Sequence, residues 1–270
     1  MDYWARKEDV LDLIDLYNHQ TQPEKIYDRF AQDWTNKRSS PWKAFQNVVT
    51  PFLNTHFPIL ADLGSGSGRN QPLFEPSCSH LVHLDLALDL LSECRNRDPH
   101  LQTDSISSQG SLIHFVQGDL CRLPFRNNVL DCCAEVASLH HIQTEAQRRR
   151  CLQEACRVLT RKGMLIVTLW RFDQPKFKEW YEWQKEYFAR LGQGEERPIS
   201  IKGYSMEFGD VIVPWTNSTS GVTHYRFYHL FTRETVDALF KGLEPTAIKM
   251  FDEKQQNNFL VVVNLKSRFT

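Results

Sequence analysis

Ile59-Leu60-Ala61-Asp62-Leu63-Gly64-Ser65-Gly66-Ser67-Gly68 is the stretch whose reading decides the fold. A short apolar run ends in an acid, and three glycines follow at alternate positions. An apolar run of this length bounded by glycine reads as a buried parallel strand entering a tight turn. Glycine suits that turn because the backbone must reach φ > 0 and let a ligand approach it closely. A helix start is expected directly behind, with free N–H groups and a dipole that favour polar ligand groups. The stretch reads as the loop of a nucleotide or nucleoside cofactor, the alternative being a glycine turn without a ligand.

Working outward, the same pattern recurs. Leu81–Asp85, Leu112–Val116, Leu130–Val136 and Met164–Leu169 are apolar runs, the second strand ending in Asp85 and the third followed by Gly118-Asp119. Between them, Leu90, Leu91 and Cys94 share one helix side, as do Leu152, Ala155, Cys156 and Leu159 of a helix opened by the capping pair Thr144 and Gln147. Two terminal strands are expected near 246–251 and 259–265. Strands alternating with helices predict an α/β fold: a doubly wound, mainly parallel, seven-stranded Rossmann-like sheet with an antiparallel terminal strand. The whole chain, 1–270, reads as one domain. Helices occupy 1–55, with Ile26, Phe30 and Trp34 on one face, and an inserted aromatic helical cap is expected at about 171–225.

Composition bounds the function. A net charge of −1 argues against gripping nucleic acid by bulk charge alone. The 7 cysteines form no C-x-x-C pair and no Cys/His cluster at zinc spacing, so no metal is expected and a reducing, cytoplasmic setting is. Met1–Asp9 does not read as a signal peptide, and no stretch approaches a membrane span.

A dinucleotide fingerprint wants a third glycine where Arg69 stands; here the third glycine is Gly68, with Asp62 before the loop. That arrangement resembles the D/E-x-G-x-G-x-G loop of class I S-adenosylmethionine-dependent methyltransferases. Asp85, Gly118-Asp119 and the Leu159–Gly163 turn stand in compatible order. The resemblance implies S-adenosyl-L-methionine as cofactor. Gly64, Gly66 and Gly68 would face its amino-acid end and sugar, Asp85 its ribose hydroxyls, and Asp119 with the Leu120 backbone its adenine. Val136 and Asp62 belong to the same expected set, Asp62 orienting either the loop or, through water, the cofactor ammonium.

For the acceptor, Lys37–Trp42, Leu139-His140-His141, Trp170–Gln174, Val213-Pro214-Trp215 and Tyr228-His229-Leu230 together resemble the eukaryotic-type tRNA methyltransferases that esterify 5-carboxymethyluridine at the wobble position. The family loop G-C-G-N-G-K-Y is not matched at Ser65, Ser67, Arg69 and Asn70. The resemblance implies Arg38, His140 and His141 as catalytic residues, and Arg38, Trp42, Trp170, Trp215 and His229 as substrate contacts. It also implies two partners: the tRNA anticodon loop, and a small zinc-binding activator subunit beside the 112–116 strand. Other readings stay open. His140 and His141 either orient the acceptor or cap the fourth strand. Arg148-Arg149-Arg150, with Arg122, Arg126, Lys176 and Lys178, form either a tRNA path or a solvated face. The acceptor is alternatively a small acid, phenol or quinone precursor, or the chain is a silent tRNA- or partner-binding member of the fold.

Overall fold

A computed structural model describes residues 23–103, 105–174, 181–182, 200–201, 204–253 and 256–265. Its frame is a seven-stranded sheet. The strands are β1 (Phe57–Leu63), β2 (Cys78–Asp85), β3 (Leu112–Gln117), β4 (Leu130–Val136) and β5 (Leu159–Trp170), joined late in the chain by β8 (Ala247–Glu253) and β9 (Gln256–Asn264). Their order is β8-β9-β5-β4-β1-β2-β3. β1 to β5 are parallel, and β9 runs antiparallel to β5 and to β8. The expected fold class is the one observed. Chain order reverses between β1 and β4, which opens a crevice at the carboxyl ends of the strands.

Side chains alternate across the sheet, so each strand feeds two cores. Ala61, Leu63, Leu165 and Val167 meet α4 (Glu145–Val158) and α5 (Arg233–Leu239) on one face. Leu60, Ile166 and Leu260 meet Phe45, Val49 and Leu53 of α2 (Lys43–Leu53) on the other. α4 begins with the expected capping box, Thr144 Oγ1 accepting from Gln147 N. It ends at Val158, and backbone from Leu159 onward is already strand. Leu159–Gly163 is therefore the start of β5, with a register shift against β4, rather than a turn before it.

The stretch expected to be a helical cap differs. The helical spacing lay on residues 177–191, most of which fall outside the described residues. The described remainder is dominated by a hairpin of β6 (Asp210–Thr216) and β7 (Thr223–His229). Strand alternation explains it: Arg226 and Tyr228 share one face, while Phe227 packs with Ile212 on the other. Hydrogen bonds from Phe231 N to Trp170 O and from Phe172 N to Phe231 O fasten the base of the hairpin to the end of β5. Its tip is latched to α1 (Ala31–Lys37), where Asp33 accepts from Trp215 Nε1 at 2.9 Å and from Ser218. A 3₁₀ helix, Pro23–Phe30, leads into α1 and lays Phe30 on Trp215, ring centroids 5.7 Å apart. Hairpin and N-terminal helices roof the crevice.

Candidate active site

The turn after β1 is held in the conformation its glycines permit, with φ of +72° at Gly64, +55° at Gly66 and +70° at Gly68. Gly64 N and Ser65 N both donate to Leu84 O. Gly66 N donates to Asp85 Oδ2 at 2.8 Å, which ties the turn to the end of β2. The three glycines do different work. A Cβ on Gly64 would lie 2.3 Å from Ser138 Oγ, and one on Gly68 2.1 Å from Cys94 Sγ. Both positions are filled by neighbouring elements, and Gly68 lies outside the cavity wall. A Cβ on Gly66 meets nothing closer than 3.9 Å, so this backbone is open toward a ligand. The helix expected behind the turn is the single turn Gln71–Phe74.

The turn borders a cavity of about 400 Å³. Asp85 lines it, each carboxylate oxygen already accepting one backbone N–H, from Gly66 and Ala87, with lone pairs left for two hydroxyls. Burial raises the Asp85 pKa. Asp119 lines the same end and turns Oδ1 back to Cys121 N at 2.8 Å; Leu120 and Val136 supply apolar wall. Asp62 sits behind the turn, fully buried and outside the cavity wall. Among the described residues neither of its oxygens has a hydrogen-bond partner, so no hydrogen bond there ties it to the loop. Burial pushes its pKa up to about 7. His83 Nδ1 lies 3.8 Å away, but burial pushes that imidazole down to about 3, so the contact is not an ion pair.

The opposite end of the cavity is aromatic and cationic. His140 and His141 lie on a 3₁₀ turn, Leu139–His141, that follows β4 and carries both rings into the wall. The His140 ring packs 4.7 Å from Trp170 and 4.9 Å from Tyr228. His141 Nδ1 faces the Phe227 carbonyl at 3.4 Å, and a carbonyl only accepts. Nδ1 therefore carries the proton, and Nε2 accepts from Tyr27 Oη at 3.1 Å. Burial, with Arg226 nearby, pushes His141 down to about 3, and His140 falls well below its ordinary value from burial and the charge of His141.

Three arginines line this end. Arg38 is half-buried over Trp34, 5.1 Å to the ring centroid; Arg69 lies over Trp42 at 4.2 Å; Arg226 is buried against Tyr228. Burial and the neighbouring Arg38 charge lower the Arg69 pKa to about 10, which keeps it a cation at neutral pH. Trp42 and Trp170 line the cavity as expected, but Trp215 and His229 do not. Trp215 spends its N–H on Asp33, and His229 is buried beneath the hairpin with Nδ1 2.6 Å from Asp210 Oδ1. Ligand atoms of His229, Asp210 and Glu207 lie within 4.8 Å of one another, but Arg148 already supplies a cation to Glu207 at 2.6 Å.

The expected arginine path also changes character. Arg148 is 2% exposed and donates to the Ile142 and Gln143 carbonyls, so it braces the segment behind the histidines. Arg149 pairs with Glu145, and Arg150 with Glu154. Lys176 and Lys178 lie outside the described residues. Sequence reasoning missed Tyr27, Arg226 and Tyr228. The alternation in Tyr225-Arg226-Phe227-Tyr228 held the signal, because on a strand it puts Arg226 and Tyr228 side by side.

Residues 61–167, from within β1 to within β5, match the methyltransferase domain family. The matched stretch is a methyltransferase domain of the class I, S-adenosylmethionine-dependent superfamily. It is 24% identical to a tRNA (carboxymethyluridine(34)-5-O)-methyltransferase, alkbh8, of Xenopus tropicalis, over 88% of this chain and 40% of that protein. It is 25% identical to a putative methyltransferase of Encephalitozoon cuniculi over 88% of this chain and 92% of that one. The chain thus spans well under half of the Xenopus relative. An S-adenosylmethionine-dependent methyltransferase from Methanosarcina mazei shares the fold with a TM-score of 0.57 at 16% identity, covering 80% of this chain and 96% of that one. The crevice fits the cofactor: open backbone at Gly66, a carboxylate at Asp85 with capacity for a diol, and apolar wall at Leu120 and Val136. S-adenosylmethionine is the cofactor, and when bound it supplies an electrophilic methyl group on sulfonium.

Proposed function

We propose that this methyltransferase domain esterifies the carboxylate of 5-carboxymethyluridine at the tRNA wobble position. The observation that carries the reading is the character of the acceptor end: cations and aromatic rings, with histidines too weakly basic to take a proton. A hydroxyl, phenol or ammonium acceptor must lose a proton, and imidazoles held below their ordinary range, His141 at about 3 and His140 well below its usual value, are poor bases for that step. A carboxylate is ionised at neutral pH and needs no base. The demand on the protein is alignment and exclusion of water. Arg38 at the cavity wall attracts the anion, and Trp42 and Trp170 offer flat apolar surface to a pyrimidine. His141, locked between Tyr27 and Phe227, acts as a fixed wall and not as a proton carrier. The resemblance to tRNA carboxymethyluridine methyltransferases points the same way.

The partners follow as part of this proposal. β3 is the edge strand of the sheet; its start is bonded on the outer side by the 105–107 segment, Ile113 N donating to Ser105 O at 2.8 Å, and Leu112, Phe115 and Val116 are half-buried. A small zinc-binding activator subunit laid along it would cover the rest of that edge. Arg122 and Arg126, exposed in the segment after Asp119, are the remaining candidates for phosphate contacts. A cytoplasmic site of action, with a nuclear pool, accords with such a substrate. The test incubates the purified chain, with and without the activator, with labelled cofactor and tRNA from cells that lack the ester, then digests to nucleosides. A labelled methyl ester of carboxymethyluridine is expected. Its absence in both mixtures, despite cofactor binding by calorimetry, overturns the substrate; absence of cofactor binding as well leaves a scaffold role.

A further inference from the structure

We infer that Arg226 is the residue that grips the acceptor carboxylate and selects an acid over its neutral amide. This rests on the carboxylate-acceptor reading above and adds to it a residue that the sequence motifs do not mark.

Arg226 is the most enclosed of the three cavity arginines at 5% exposure. One nitrogen, Nη1, donates to Tyr228 Oη, and Nη2 reaches the Pro214 carbonyl at 3.5 Å. Nε is buried and has no partner among the described residues, and Arg226 forms no ion pair there. A buried guanidinium without a counter-ion and with an idle N–H is costly unless an anion completes it. Aromatic rings hold the group in place: its Cζ lies 5.0 Å from the Trp215 and Tyr228 centroids and 5.5 Å from that of Trp34. These faces fix the guanidinium plane; Nη1 and Nη2 each spend one N–H on the protein, and Nε with the second N–H of each Nη remains for an acceptor such as a carboxylate.

The other two cations have different stations. Arg69 follows the glycine turn, feels the charge of Asp62, and so belongs to the cofactor's amino-acid end. Arg38 is half-exposed and lies over the outer tryptophans, at the mouth. Arg226 stands on the hairpin roof, across the cavity from the glycine turn and close to both histidines. A carboxylate gripped there keeps one oxygen turned toward the cofactor end while the other takes the buried N–H. The same grip penalises an amide, whose NH₂ would point a donor at a donor.

Calorimetry with two synthetic anticodon stem-loops tests this, one carrying carboxymethyluridine and one carbamoylmethyluridine, each titrated into the chain loaded with S-adenosylhomocysteine. Wild type is expected to prefer the acid about tenfold or more, and Arg226→Gln to lose that preference with S-adenosylhomocysteine affinity within about twofold of wild type. Arg226→Lys keeps the charge without the fork and is expected to retain only part of the preference; it serves as the test if the Gln variant fails to fold. Adding guanidinium ion to Arg226→Ala should restore the acid preference. A wild type that prefers the acid with an Arg226→Gln, or failing that a Lys, variant that prefers it equally overturns the Arg226 assignment and leaves the proposed function standing. A wild type that does not distinguish acid from amide overturns both.

Discussion

Replacing Asp62 by Asn should make the ligand-free protein's stability far less dependent on pH. Asp62 is 0% exposed, neither oxygen has a hydrogen-bond partner among the described residues, and the nearby imidazole, His83, is neutral. Burial therefore raises its pKa from 3.8 to about 7. For an acid raised in the folded state, the folded protein holds a proton that the unfolded chain has released. That contribution to stability is complete below about pH 4, and it disappears as pH rises through about 7. Linkage with these two values gives a loss of about 2.5 kcal/mol between pH 5 and pH 8, reached where the carboxylate is a buried charge that Arg69 offsets only in part. Asn occupies nearly the same volume and has no charge to desolvate. Urea unfolding of both proteins at pH 5, 6, 7 and 8 measures the effect, and the comparison cancels Glu135, whose buried carboxyl is likewise pushed up to about 7. The variant should gain on wild type by about 2 to 3 kcal/mol across the range, most of it between pH 5 and 7. Two stability curves that stay parallel from pH 5 to 8 would refute the reasoning, because they require the Asp62 charge to be solvated or paired.

Two further substitutions test the packing of the site. Arg148→Met should cost about 2 to 4 kcal/mol in urea unfolding, since it strips the Ile142 and Gln143 carbonyls of their donor and leaves Glu207 unpaired. Unchanged stability with a shallower salt dependence of tRNA binding would instead make Arg148 a phosphate contact. Gly68→Ala should cost about 2 to 3 kcal/mol, because φ is +70° and the new Cβ would sit 2.1 Å from Cys94 Sγ. Cys94→Ala in the same chain should recover the steric part but not the backbone part; strictly additive losses would show that the two do not touch.

Periodicity was enough for the frame and the cofactor end. Ile59–Gly68, Leu81–Asp85 and Leu130–Val136 are local patterns, and a strand, a positive-φ turn and the acid at the end of the next strand follow from neighbours in the chain. Asp85 and Gly66 meet where their strands end, as such patterns require. The division of labour among the glycines was not legible, because Cys94 and Ser138 fill the space at Gly68 and Gly64 from other elements.

The acceptor end is a property of the tertiary structure. His229 and Trp215 carry functional residue types in suggestive segments, yet Asp210, across the hairpin from His229, and Asp33, 182 residues from Trp215, take their hydrogen bonds and draw them out of the cavity. Arg148 looks like a surface charge on a helix until Glu207 and two carbonyls close around it. Arg226 and Tyr27 enter because a hairpin and a 3₁₀ helix fold over the crevice from opposite ends of the chain. A sequence pattern reports which face of an element is apolar. Whether a charged or hydrogen-bonding group on that element is spent on a neighbour or left facing a ligand depends on contacts between elements, and those exist only in the folded chain.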